Sequence, residues 1–135
     1  MTQISFYLFE KSNERQVESA CRLTRKILNQ HAKIWWYCTD SSMQIELDEL
    51  LWTFDPQSFI PHGIDDIESS VCISAQLPPS HDWIIFNFNH HALEQIQNIR
   101  HIIEIVENNE STKQIGREKF KMYRQFGIEA RTFKL

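Results

Sequence analysis

Apolar positions along the chain gather into five short runs, most of them continuous rather than alternating, at residues 4–9, 34–38, 71–74, 83–88 and 102–106. A strand with one wet face alternates apolar and polar residues, so continuous runs of this length predict strands covered on both faces. Between the first two runs, Val17, Ala20, Cys21, Thr24, Ile27 and Leu28 recur at helical spacing. Between the second and third, a helix opens at a cap on Asp40 or Ser41 and runs to about Trp52. This alternation predicts a parallel α/β sheet with helices on its faces. Residues 76–82 are too few for a crossover helix, which predicts that one strand there runs antiparallel or lies at an edge. A short helix over 92–97 would make the next connection. The last helix opens near Ser111, where Ser111 and Gln114 have capping-box spacing, and ends near Gly127. The expected architecture is one domain over residues 1–135. It is a three-layer α/β/α Rossmann-like sandwich with a mostly parallel sheet of about five strands.

Two helices carry more than a core stripe. On the second, Met43, Leu47, Leu50, Leu51 and Phe54 share the core side, while Ile45 and Trp52 form a second stripe roughly 150° away. An outward indole is either covered by the loop at 55–63 or offered to a partner, and the residues leave both open. That loop carries an apolar pair, Phe59 and Ile60, that belongs to no element. On the last helix, Ile115, Met122 and Phe126 mark the expected core face, flanked by Lys119 and Tyr123. Lys113, Arg117, Lys121 and Arg124 fall within a sector about 80° wide on the opposite side, with Phe120 at its edge. A solvated face would ordinarily intersperse acids among such cations. Guanidinium beside an aromatic ring suits an acidic peptide that ends in an apolar side chain and a free carboxylate. A plain solvated basic face is the competing explanation.

Composition sharpens this contrast. The 135 residues carry net charge −4, but residues 1–110 hold 7 basic and 16 acidic side chains, and residues 111–135 hold 7 basic and 2 acidic. An acidic body repels a nucleic-acid backbone, so direct nucleic-acid binding is not expected. With Gly63, Gly116 and Gly127 as the only glycines, no phosphate-cradling loop can form, and no P-loop or dinucleotide fingerprint is present. The six histidines show no metal-ligand spacing, so neither metal nor other cofactor is expected. Cys21, Cys38 and Cys72 are odd in number and sit on expected core elements, which points to a reducing compartment rather than to disulfides or a nucleophile. No apolar run is long enough to span a membrane and no signal segment is visible, so a cytoplasmic protein is expected. The alternative on this scaffold, a nucleotide-binding or hydrolytic enzyme, lacks a phosphate loop or an acid/base pair to carry it.

Several segments resemble one family. Phe6-Tyr7-Leu8, the run Leu47-Asp48-Glu49-Leu50-Leu51-Trp52, the run Ser58-Phe59-Ile60-Pro61-His62, and the stretch from Lys113 to Arg124 occur in the order found in the chi subunit of the bacterial DNA polymerase III holoenzyme. The resemblance spans nearly the whole chain. It implies a Rossmann-like sandwich without a nucleotide site and a non-catalytic adaptor role. It also implies two protein partners, the psi subunit of the clamp-loader complex and the acidic C-terminal tail of single-stranded DNA-binding protein. By the same resemblance Trp52, Phe59 and Ile60 face psi, on a surface that receives a repair helicase in some bacteria. Lys113, Arg117, Phe120, Lys121 and Tyr123 hold the tail, with Val106 as a pocket wall. Phe120 stands where the family often has Tyr or Trp, which keeps an apolar seat and removes a hydroxyl.

Overall fold

The computed structural model describes residues 2–10, 14–28, 33–54, 60–94, 96 and 99–134. Strands β1 (Gln3–Leu8), β2 (Lys33–Tyr37), β3 (His62–Ile64), β4 (Val71–Ser74), β5 (Trp83–Asn87), β6 (His101–Val106) and β7 (Arg131–Lys134) form one sheet in the order β3-β4-β2-β5-β6-β1-β7. Every pairing is parallel. Helices α1 (Gln16–Leu28) and α2 (Ser41–Thr53) cover one face, and α3 (Glu110–Gln125) covers the other. The five expected strands are all present. The structure adds β3 and β7 at the two edges, which are short and carry no apolar run.

Period-two alternation splits each central strand between two cores. Ile103 and Ile105 of β6 pack toward α1 and α2 with Trp36 and Phe86, whereas Ile102 and Val106 pack toward α3 with Phe6 and Ile85. Both faces are dry, and for that reason the strands read as continuous apolar runs. Asp40 caps α2, its Oδ1 accepting from the Ser42 and Met43 amides at 2.9 and 3.3 Å.

Three local expectations are corrected. The strands either side of residues 76–82 are parallel and interior, β4 and β5 flanking β2. The eight residues between them can span roughly 26 Å when extended, enough to cross one strand and return along it without a helix. The connection is tied down where Trp35 Nε1 donates to the Gln76 carbonyl at 2.8 Å. The described residues of 92–97 are not helical. Their backbone is satisfied from the side, by Thr2 Oγ1 donating to the Ile96 carbonyl (2.7 Å) and the Leu93 amide donating to Tyr123 Oη (3.2 Å), while Leu93 and Ile96 cover the sheet. Finally, α3 is capped by Asn109, whose Oδ1 accepts from the Thr112 amide at 2.9 Å and from the Ser111 hydroxyl at 3.1 Å. Asn109 takes the cap position two residues before Ser111.

Candidate functional site

The orientation of α3 is set by a charge buried in the sheet. Glu104 sits in the middle of β6 and points at the helix. Its Oε1 lies 2.8 Å from Lys119 Nζ, and its Oε2 accepts from the Tyr123 hydroxyl at 2.6 Å and from Asn87 Nδ2 at 2.8 Å. Burial pushes the Glu104 carboxyl up from its ordinary value, while the Lys119 charge and the three donors pull it back. Burial, then the Glu104 charge, pushes the Tyr123 phenol up as well. One turn earlier, Gly116 meets Val106: a Cβ there would lie 2.8 Å from Val106 Cγ2, so the helix backbone rests directly on the Val106 side chain where a larger residue would hold it off.

The buried face of α3 is therefore Gly116, Lys119 and Tyr123. The expected face of Ile115, Met122 and Phe126 is rotated away by roughly 70°, and Met122 and Phe126 stand exposed. Apolar counting missed this face because its members are a glycine, a lysine and a tyrosine. The available signal was Glu104 inside an apolar strand, a charge that needs buried partners. Tyr123, expected at the tail site, is fully buried beneath it and is corrected to an anchor of the helix.

The same rotation carries the basic sector to the lip of a concavity between α3 and strands β1 and β6. The cavity, about 500 Å³, has Phe6, Val106 and Phe120 in its apolar floor and walls, and Lys113, Arg117 and Lys121 along its rim. Phe6 and Phe120 pack with ring centroids 5.6 Å apart. Five of the six residues expected at the tail site thus line one hollow. Arg124 lines it too, and so does Glu10, whose carboxylate lies 3.8 Å from Lys134. Arg117 Nη1 donates to Gln114 Oε1 at 3.3 Å, and Gln114 Nε2 in turn donates to Glu118 at 3.4 Å. Among the described residues, no carboxylate forms an ion pair with Lys113, Arg117, Lys121 or Arg124.

A second surface lies across the sheet, beside edge strand β3. Ile45 and Trp52 of α2 are more than half exposed, as the helical spacing expects. The Trp52 ring rests on His62, ring centroids 4.6 Å apart, and the His62 side chain is wholly buried beneath it. His62 Nδ1 lies 2.7 Å from the Ile60 carbonyl, and Nε2 lies 3.1 Å from the Asp48 carbonyl and 3.3 Å from its Oδ1. His62 is thus the platform that sets the indole, a role the sequence reading gave to no residue. Phe59 lies outside the described residues. Ile60, expected at this surface, packs in the core with Leu47 and Leu51 and is corrected to a structural residue.

Among the described residues, no three His, Cys, Asp or Glu side chains converge as a metal site, and no helix is long and apolar enough to cross a membrane. Burial pushes the Cys21 thiol up to about 12, with Glu18 adding to the shift, and the Cys72 thiol up to about 11.

Fold and site define an α/β protein without a glycine-rich phosphate loop, whose hollow beside α3 is lined by cations and aromatic rings. Over residues 1–131 the sequence matches the family described as DNA polymerase III chi subunit, HolC. It is 30% identical over 139 residues to DNA polymerase III subunit chi of Pseudomonas aeruginosa, covering 100% of this chain and 98% of that one. The chi subunits of Haemophilus influenzae and Escherichia coli are 25% and 22% identical, over 90% and 98% of this chain and 90% and 97% of their own. The chain belongs to the DNA polymerase III chi subunit family, replication accessory subunits of a polymerase holoenzyme.

Proposed function

We propose that this protein is a non-catalytic adaptor that joins the clamp-loader side of the polymerase, through a psi subunit, to the acidic C-terminal tail of single-stranded DNA-binding protein. The observation that carries the tail half is the hollow beside Arg117, open and rimmed by cations that have no carboxylate partner among the described residues. A chain end brings an apolar side chain and a carboxylate in one residue. The side chain enters between Phe6, Val106 and Phe120, and the carboxylate meets the guanidinium, a charge-assisted pairing with directional geometry. Acidic residues before it meet Lys121 and Arg124. The basic segment also steers the tail from a distance, so the association weakens as salt rises.

Psi takes the other surface, with Trp52 as the aromatic anchor and His62 fixing its angle. A repair helicase using this surface would compete with psi and leave the tail site free. The two sites lie on opposite faces of the sheet, so both partners can be held at once. The test of the tail half is titration of an acidic tail peptide against wild type and Arg117→Ala. A loss of about 1–3 kcal/mol is expected on removing a charge-assisted bond, and equal affinities would defeat the assignment.

A further inference from the structure

The hollow beside Arg117 does not end at Phe120. A second cavity of about 440 Å³ adjoins it, sharing Phe120 and Arg124 with the first and lined further by Gly127, Ile128, Glu129 and Ala130. Its far wall follows from how α3 stops. Gly127, at φ 83°, turns the chain in the left-handed region, with its amide donating to the Arg124 carbonyl (3.0 Å) and the Ile128 amide to the Tyr123 carbonyl (3.2 Å). That is the Schellman arrangement, and it sends residues 128–130 back along the helix into β7. Ile128 and Ala130 pack against the α3-side core and give the second cavity an apolar lining.

We infer that the two cavities form one continuous groove, in which the second takes an apolar side chain of the same acidic chain, three to five residues before its end. This rests on the tail reading above and extends it from a terminal residue to a bipartite motif. Three observations set the register and direction. From Arg117, where the carboxylate docks, α3 rises roughly 10–15 Å to Arg124–Gly127 at the second cavity, a stretch that an extended peptide crosses in about three to five residues. Lys121 and Arg124 lie between, so acids belong between the two apolar anchors. Glu129 at the far lip repels a terminal carboxylate, whereas Glu10 in the first hollow is offset by Lys134 at 3.8 Å and outnumbered by the cations there, which places the chain end at the Lys113–Arg117 end and the upstream residue beside Ile128.

The test uses synthetic peptides on the wild-type protein. One is a four-residue peptide with two aspartates and a terminal phenylalanine. The others are nine-residue peptides with the same end and aspartates upstream, in which a single leucine is moved through each upstream position. Burying one leucine predicts a gain of about five- to tenfold at one position, three to five residues before the end, over the all-aspartate version. Ala130→Glu removes that gain and leaves the four-residue peptide's affinity within about twofold, which also shows that the variant is folded. Glu129→Lys strengthens the nine-residue peptides and not the short one. A leucine scan flat to within twofold on wild type overturns the bipartite groove while leaving the terminal site standing. Failure of the four-residue peptide to bind, or indifference to Arg117→Ala, overturns the tail reading itself.

Discussion

Lys119 Nζ lies 2.8 Å from Glu104 Oε1 in a place where neither side chain has appreciable access to water. A charge taken out of water is tolerated only when paired and hydrogen-bonded, and here both carboxylate oxygens accept, Oε1 from Lys119 and Oε2 from Tyr123 and Asn87. The pair fixes which face of α3 meets the sheet, and hence where the helix aims its arginines. Glu104→Ala is expected to lower unfolding free energy by about 3–5 kcal/mol, because it strands a buried ammonium. Replacing both partners, as Glu104→Leu with Lys119→Met, should restore much of that loss. Denaturant titration checks both, and a single-variant loss below about 1 kcal/mol would contradict the role given to the pair.

Gly116 tests the same geometry from the backbone side. With Val106 Cγ2 only 2.8 Å from the place a Cβ would occupy, Gly116→Val must push α3 off β6. A loss of about 1–3 kcal/mol is expected from overpacking, together with weaker binding in the hollow that Val106 and Gly116 both line. Combining it with Val106→Ala should recover part of both. Thermal shift and peptide titration on the same samples decide whether they recover together.

The surface around Trp52, proposed to meet psi, is expected to be separable from the hollow beside Arg117 proposed to hold the tail. Trp52→Ala should abolish co-purification with psi while leaving acidic-peptide affinity within about twofold. His62→Ala should weaken psi association less, by releasing the indole from its platform rather than removing it. Loss of peptide affinity in either variant would contradict the separation.

Alkaline pH is expected to destabilise the fold through its thiols. Cys21 and Cys72 are raised from the ordinary 9.0 to about 12 and about 11, in both cases chiefly by burial, so the folded state holds their protons more tightly than the unfolded chain. Their contribution is fully present below pH 9 and is lost as pH rises through 11 to 12. Melting temperature measured from pH 8 upward should fall over that window, and less steeply in Cys21→Ala. At pH 8 the native protein should react with an aromatic disulfide reagent far more slowly than the unfolded chain, and immediate reaction of all three thiols would contradict their burial.

What could be read in advance follows from where the physics is local. The five central strands were legible because both their faces are dry, and α1 and α2 because their stripes are apolar at helical spacing. Trp52 was legible as an outward residue for the same reason. The edge strands were not: β7 is exposed along its whole length and β3 is three residues long, so neither had an apolar signature. The cations that rim the hollow were legible as one sector of α3, but Tyr123, buried beneath it, was not legible as an anchor of the helix. The α3 face is chosen by Glu104, nineteen positions away in sequence, and helix periodicity carries no record of a contact across the sheet. Ile60 was misplaced for a similar reason: its neighbours Leu47 and Leu51 come from another element.

Recognition of a free chain end at the hollow beside Arg117 predicts that the terminal carboxylate of the acidic peptide carries much of its affinity. The most direct measurement compares one tail peptide as the free acid and as the C-terminal amide, on wild type and on Arg117→Ala. The amide should bind wild type about tenfold or more weakly, in line with the loss of a charge-assisted pairing, and the two forms should bind Arg117→Ala with nearly equal affinity. If the amide binds wild type as well as the acid does, the hollow is not reading a terminal carboxylate.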